Sequence, residues 1–375
     1  MLPRLSQKRN TNSKADNNST ANPHRKLVQS GHDIHTEGLI VKALVLKELG
    51  GPENLVIEDI PLPEPATGEV RVQIRCAALN RRDVWITVGQ YPKVQLPSVG
   101  GSDGAGVIDA VGPGGDQSLV GQEVVIYPAR NWGDDPRCGG ADFRVLGMPD
   151  QGTFAEAICV PADDVMPKPP HLNWQQAAAL PLAGLTSWRA LITHGEVCKG
   201  QKVLVTGIGG GVATFALLWA KYHGAEVYVT SGSDEKIAAA LKLGIAGGVN
   251  YKDADWSRAL RKMSGGIDTV IDSAGGDVVN AAMNTLNTGG RFIFFGATLG
   301  NPAAGLEMAK MFFKQARIQG TTMGTPSEFK AMLEFVVKNK IEPVVDQSFS
   351  LDDGVAAHQR MWASEQMGKI ILSVS

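Results

Sequence analysis

The chain has 375 residues, 43% hydrophobic and 20% charged, the proportions of an ordinary globular protein of two or three domains. A net charge of −2 gives no basic surface for nucleic acid or an anionic membrane, and no apolar run approaches the ~20 residues of a membrane-spanning helix. Four scattered cysteines (Cys76, Cys138, Cys159 and Cys198) include no C-x-x-C pair, which excludes a disulfide framework and fits a reducing, cytoplasmic compartment.

Residues 1–38 are rich in Asn, Ser, Lys and Arg and nearly free of large apolar side chains. Such a segment cannot bury enough surface to offset its ordering entropy, which predicts a disordered tail. Lys8, Arg9, Arg25 and Lys26 also suit a mitochondrial presequence, although the segment lacks an amphipathic stripe. Three histidines, His24, His32 and His35, fall inside it.

Residues 39–172 hold short apolar or alternating runs, among them "VKALVLKEL", "EVRVQIRCAALN" and "GAGVIDAVG", separated by turn chemistry such as "GGPEN" and "PGGDQSLVG". That spacing predicts an all-β barrel or sandwich. Residues 173–316 change character. Asn173 is placed to cap a helix, and apolar strands then alternate with helices over 234–243, 254–264 and 277–286. This alternation builds a doubly wound parallel sheet of the Rossmann kind. Residues 317–375 add a strand, a helix over 326–339, and a terminal β run "GKIILSVS" suited to returning to the first domain.

The stretch "KVLVTGIGGG" at 202–211 runs from a predicted strand into a predicted helix. Gly207, Gly209, Gly210 and Gly211, followed by Val212, form a loop whose backbone N–H groups can approach a pyrophosphate at the helix N-terminus. Ala213 in the last position of the pattern only needs to be small. The next strand ends in "VTSGSDEK" with no acidic residue at its tip. Ser231, Ser233 and Lys236 there suit a ribose 2′-phosphate, so NADPH is expected rather than NADH. Asp234 is expected to cap the following helix.

The segments "LNRRDVWITVGQYP" (79–92), "GGSDGAGVIDAVG" (100–112), "GTFAEAICVP" (152–161), "AALPLAGLTSWRAL" (178–191), the glycine loop and "GKIILS" occur in the order seen in medium-chain dehydrogenase/reductases. The chain most resembles their zinc-free, quinone-oxidoreductase-like branch. The resemblance implies a GroES-like catalytic domain over 39–172, a Rossmann domain over 173–316, a C-terminal return over 317–375, an active site in the cleft and a homodimer. Zinc-dependent members place metal ligands where this sequence has Asn80, Ser102 with Asp103, and Leu182. Asn and Ser are poor zinc ligands and Leu is none. The four-cysteine lobe corresponds to about 128–150 and keeps only Cys138.

The resemblance also implies site residues, each with a bland alternative. Asn80, Asp83 and Tyr91 are expected near the reacting atoms: Asn80 to orient a carbonyl oxygen and Tyr91 to donate a proton. Asp83 in such a turn is more often a structural hydrogen-bonding residue, and Tyr91 equally suits a packed position at the cleft mouth. Trp85 and Met323 are expected at the substrate pocket. Thr186 and Tyr251 are expected against the cofactor, with packing or capping as the alternative, and Ser273, Ala274, Gly296, Ala297 and Thr298 are expected there because they lie at the carboxyl ends of parallel strands. Lys369 is expected to reach the pyrophosphate or to remain a solvated strand-end lysine. Without a metal, hydride transfer from NADPH suits an already electrophilic acceptor, a quinone or an α,β-unsaturated carbonyl. The competing readings are an NAD(P)-dependent alcohol or aldehyde dehydrogenase and a non-catalytic NADPH-binding regulator.

Overall fold

Alternation of buried and exposed side chains along a strand decides the first half of the chain. In the longest strand there, Val70, Val72 and Ile74 are fully buried while the intervening Arg71 and Gln73 face outward. The computed structural model describes residues 39–374. The polar tail and its histidines lie outside the described residues.

The first half runs β1 (Ile40–Leu46), β2 (Leu55–Pro61), β3 (Glu69–Ala78), α1 (Arg81–Thr87), β4 (Ser98–Val99), β5 (Asp103–Val111), β6 (Glu123–Ile126), β7 (Ala129–Arg130), β8 (Arg144–Val145), β9 (Ala157–Pro161) and β10 (Val165–Pro167). One sheet has the order β2-β1-β4, and β10, β6, β5 and β3 lie side by side in a second, with β9 also on β3. Their shared core holds Leu44, Val70, Ile74, Ile108, Val124 and Phe154.

The second half runs α2 (Trp174–Ala179), α3 (Pro181–Trp188), β11 (Lys202–Val205), α4 (Gly211–Tyr222), β12 (Glu226–Ser231), α5 (Asp234–Lys242), β13 (Gly247–Asn250), α6 (Trp256–Ser264), β14 (Ile267–Asp272), α7 (Val278–Thr285), β15 (Leu286–Phe294), α8 (Met308–Phe313) and β16 (Arg317–Gly320). These strands form a parallel sheet in the order β13-β12-β11-β14-β15-β16. The order reverses between β11 and β14, which opens a crevice at the carboxyl ends of the strands. The fold is therefore α/β, a β domain joined to a doubly wound parallel-sheet domain of the Rossmann kind.

The chain ends with α9 (Pro326–Asn339), β17 (Val345–Ser350), α10 (Gly354–Trp362) and β18 (Lys369–Ser373). β18 pairs antiparallel with β3 and parallel with β17, so the terminal run does return to the first sheet. The return starts later than position 317, because β16 still pairs with β15 in the Rossmann sheet. Two capping assignments differ in outcome. Asn173 caps α2, its Oδ1 accepting the Gln176 N–H at 2.8 Å. The cap of α5 is Ser233, not Asp234: the Ser233 hydroxyl accepts the Lys236 N–H, leaving Asp234 as the first helical residue.

The lobe at 128–150 is organised around a buried cation. Arg189, 2% exposed, donates to the carbonyls of Pro136 and Arg137 at 2.8 Å and pairs with Glu328 at 2.7 Å. Its guanidinium also lies over the Trp132 ring. Cys138 is exposed.

Candidate active site

Strand register brings three polar residues together at the end of the β domain. β3 pairs with β5 so that Ala78 faces Asp103, and with β18 so that Ala78 faces Ile371. The residues just past these pairs, Asn80 and Lys369, therefore converge on Asp103. Lys369 Nζ donates to Asp103 Oδ2 at 2.7 Å, to Asn80 Oδ1 at 2.8 Å and to the Leu79 carbonyl at 2.7 Å. Asn80 Nδ2 donates to Asp103 Oδ2 at 2.9 Å, and the Leu182 N–H donates to Asp103 Oδ1 at 2.6 Å. Both charged groups are almost fully buried. An ion pair survives there only because nearly every donor and lone pair is used.

This corrects the expectation for Lys369. All three ammonium hydrogens are committed inside the protein, so its Nζ does not point to a pyrophosphate. Its methylene stem instead packs beside Gly211, where an added Cβ would lie 2.6 Å from Lys369 Cδ. The carbonyl of Asn80 is likewise committed, to Lys369.

Asp83 is also corrected. Its Oδ2 accepts the Asn80 N–H at 2.7 Å, which fixes the start of α1, and the side chain does not line the cleft. Burial pushes its pKa up to about 6, against the pull of the neighbouring Arg82 charge, and its Oδ1 has no partner. The fold thus favours the protonated form, and this contribution to stability is present below pH 4 and lost as pH rises through about 6. Asp83→Asn keeps an acceptor for the Asn80 N–H and removes the ionisation. It is expected to unfold with about 1–3 kcal/mol more stability than the wild type at pH 8, with the gain vanishing below pH 4. Urea titrations at the two pH values check this; a variant less stable at pH 8 contradicts it.

The other side chains named from the sequence converge on one cleft of about 1010 Å³. Asn80, Trp85, Tyr91, Thr186, Met323 and Lys369 line the end nearest the β domain, and the glycine loop with Val212 lines its floor. Ser231, Ser233, Lys236 and Tyr251 line the end at β12. Ser273, Ala274, Gly296, Ala297 and Thr298 follow β14 and β15. Gly207 has φ +63° and Gly209 φ +134°, values that side chains resist. Beyond Gly210 the space is open, so a Cβ there would project into the cleft. The Thr214 N–H makes the first helical bond of α4, to the Gly210 carbonyl, which leaves the N–H groups of Gly211, Val212 and Ala213 without helical partners. These features fit a dinucleotide, with the diphosphate on the loop.

Lys236 is partly diverted from the role read for it. Its Nζ donates to the Ser364 carbonyl at 2.6 Å, and burial lowers its pKa. Ser233 is occupied as the cap of α5. Tyr251 places its hydroxyl 2.6 Å from where a Cβ on Gly232 would sit, so that glycine keeps the strand end open.

Three functional positions were not singled out in the sequence. Arg82 lines the cleft beside Tyr91, and only the doubled arginine in an otherwise apolar segment hinted at it. Asp272, buried at the end of β14, accepts from Thr206 Oγ1 at 2.5 Å and from the Gly275 N–H at 2.9 Å, fixing the turn that carries Ser273 and Ala274. Gln366 lines the cleft with its Oε1 unpartnered, and no local sequence pattern marks it.

Residues 66–170 match the alcohol dehydrogenase GroES-like domain and residues 211–338 the zinc-binding dehydrogenases. The zinc-type alcohol dehydrogenase-like protein YogA of Leptosphaeria maculans is 37% identical over 341 residues, covering 85% of this chain and 94% of its own. The chain belongs to the medium-chain dehydrogenase/reductases. A solved NAD-dependent alcohol dehydrogenase superposes on this medium-chain dehydrogenase/reductase with a TM-score of 0.84 at 37% identity, covering 89% of this chain and 100% of the other. The quinone oxidoreductase of Rattus norvegicus is 27% identical over 344 residues, covering 89% of this chain and 98% of its own. Membership makes the protein an oxidoreductase with an NAD(P) site.

The zinc implied by these relatives does not fit the residues of this medium-chain dehydrogenase/reductase. At the corresponding positions, Asp103 is consumed by Lys369, Asn80 and the Leu182 N–H, while Ser102 donates to the Leu146 carbonyl and accepts from Arg82. Two fixed cations beside these positions would repel a dication. Among the described residues, no group of three or more His, Cys, Asp or Glu side chains is placed to hold a metal ion.

Proposed function

We propose that the protein is an NADPH-dependent reductase of quinones or α,β-unsaturated carbonyls that works without a catalytic metal. The observation that carries this reading is the ammonium of Lys369 bonded to Asn80 and Asp103, where a metal-dependent relative needs ligands. Bound NADPH supplies a hydride, and no Lewis acid is needed when the acceptor is already electrophilic. Thr186, Trp85 and Met323 shape the pocket that orients the acceptor, and Tyr91 holds a proton at its hydroxyl.

The preference for the phosphorylated cofactor rests on charge. Arg81, Lys236 and Lys252 line the cleft against one carboxylate, Glu365, which is paired with Arg360. No acidic side chain lines it at the tip of β12, where one would hold a ribose 2′-hydroxyl and repel a 2′-phosphate. Fluorescence titration is expected to show NADPH binding at least tenfold tighter than NADH, with Lys236→Ala removing most of that difference. Oxidation of the bound NADPH by benzoquinone or crotonaldehyde is expected alongside. Tighter NADH binding, or binding without turnover on either acceptor, contradicts the reading.

The names of the relatives favour a second reading, alcohol oxidation, which the labelling experiment closing the Discussion separates from the first. We also propose a homodimer. Edge strand β16 is exposed along its length, beside exposed Phe294, Phe312, Phe313 and Ile318, an apolar patch and open edge that a second copy would cover. Sedimentation equilibrium should give twice the chain mass of 39.8 kDa; a monomer contradicts this. Four free cysteines suit the cytoplasm, and no described helix is long and apolar enough to cross a membrane.

A further inference from the structure

Arg82 is a permanently charged guanidinium in the wall of the cleft, and it has no ion pair among the described residues. Four of its five N–H donors go to neutral oxygens. Nη1 donates to Ser102 Oγ at 2.5 Å and to the Leu146 carbonyl at 2.8 Å, Nη2 to the Met148 carbonyl at 3.1 Å, and Nε to Tyr91 Oη at 3.3 Å. The guanidinium carbon also lies 4.7 Å from the centre of the Tyr91 ring. The side chain is therefore held rigidly with no carboxylate bonded to it, and the neighbouring Asp83 carboxyl, on which its charge acts, turns to the Asn80 N–H instead. Because Tyr91 Oη accepts from Arg82, its own hydrogen is turned elsewhere, and no described residue accepts it.

We propose that Arg82, with Tyr91 held against it, binds the oxygen of the hydride acceptor and neutralises the negative charge that develops there. The inference rests on the reductase reading above and names the electrophilic group that reading leaves unassigned. When the β-carbon of an unsaturated carbonyl receives a hydride, the C=C pair shifts to form an enolate and the carbonyl oxygen takes up the charge. A proton from the Tyr91 hydroxyl or water completes the two-electron reduction at the α-carbon, and the oxygen returns to a carbonyl. For a quinone, the charge falls on a phenolate oxygen that is then protonated. In both cases a preorganised cation in a low-dielectric cleft stabilises the charged state far more than water does.

The test compares the wild type with Arg82→Met and Arg82→Lys in the full chain. It reads kcat with crotonaldehyde and benzoquinone, the NADPH dissociation constant, and calorimetric binding of benzoate, a stable oxygen anion, in the presence of NADP⁺. Arg82→Met is expected to lower kcat about 100-fold or more, the size of effect seen on losing one oxyanion donor. NADPH binding should stay within threefold, benzoate binding should weaken at least tenfold, and added guanidinium should restore part of kcat. A purely structural Arg82 would not give guanidinium rescue or a selective loss of benzoate. If the wild type turns over and Arg82→Met keeps kcat and benzoate affinity within threefold, the inference falls and the reductase reading stands. If the wild type reduces neither acceptor but benzoate binding still depends on Arg82, the reductase reading falls and the anion site stands. Should Arg82→Met fail to bind NADPH, Arg82→Lys decides: because it keeps the charge, benzoate binding and kcat within tenfold of the wild type support the role, and loss of benzoate binding with kcat unchanged overturns it.

Discussion

Lys369→Met is expected to lower the free energy of unfolding by about 3–5 kcal/mol, the typical cost of stranding one member of a buried ion pair. Asp103 would keep the Asn80 amide and the Leu182 N–H but lose the only full positive charge bonded to it among the described residues. The leftover carboxylate is fully buried. Adding Asp103→Asn in that background removes the stranded charge and should recover about half of the loss. Urea unfolding followed by tryptophan fluorescence measures both variants. A loss below about 1 kcal/mol contradicts the role given to Lys369. A large loss of NADPH affinity at unchanged stability would restore its assignment as a pyrophosphate ligand.

Gly210→Val separates folding from cofactor binding. The backbone at Gly210 has φ −74° and ψ 154°, which a β-branched residue adopts without strain, and nothing lies within 4 Å of the added Cβ. The space it enters is the part of the cleft above the unpaired N–H groups of α4, where a diphosphate has to approach the backbone. The variant is expected to unfold within about 1 kcal/mol of the wild type. Its NADPH affinity should fall on the order of 100-fold, roughly 3 kcal/mol. Fluorescence titration and urea unfolding of the same preparation check both halves. Unchanged affinity would mean that the diphosphate does not lie on this loop.

How much of this was legible beforehand differs between backbone and side chains. The glycine loop, the caps at Asn173 and the return of the terminal strand were readable because each is a local signal: a residue type at a fixed spacing, or a period. The same was true of α9, expected over 326–339 and found over Pro326–Asn339. The fate of Lys369 was not local. It depends on three strands aligning Leu79, Asn80 and Asp103 around one ammonium, and sequence separations of 266 to 290 residues carry no spacing signal. Asp83 carried two readings for a related reason: a carboxylate three residues into a helix serves the backbone as readily as a substrate, and burial selects the turn hydrogen bond. Arg82 went unremarked because its acceptors lie on distant loops, at Ser102, Leu146 and Met148.

The most direct test of the central claim follows the hydride itself. Protein dialysed against a metal chelator is given NADPH deuterated at the nicotinamide C4 together with crotonaldehyde, and the product is analysed by mass spectrometry and NMR. A metal-independent enone reductase places deuterium on the carbon β to the carbonyl and releases butanal. Deuterium on the carbonyl carbon, in crotyl alcohol, or turnover that returns only when zinc is added, would contradict the account.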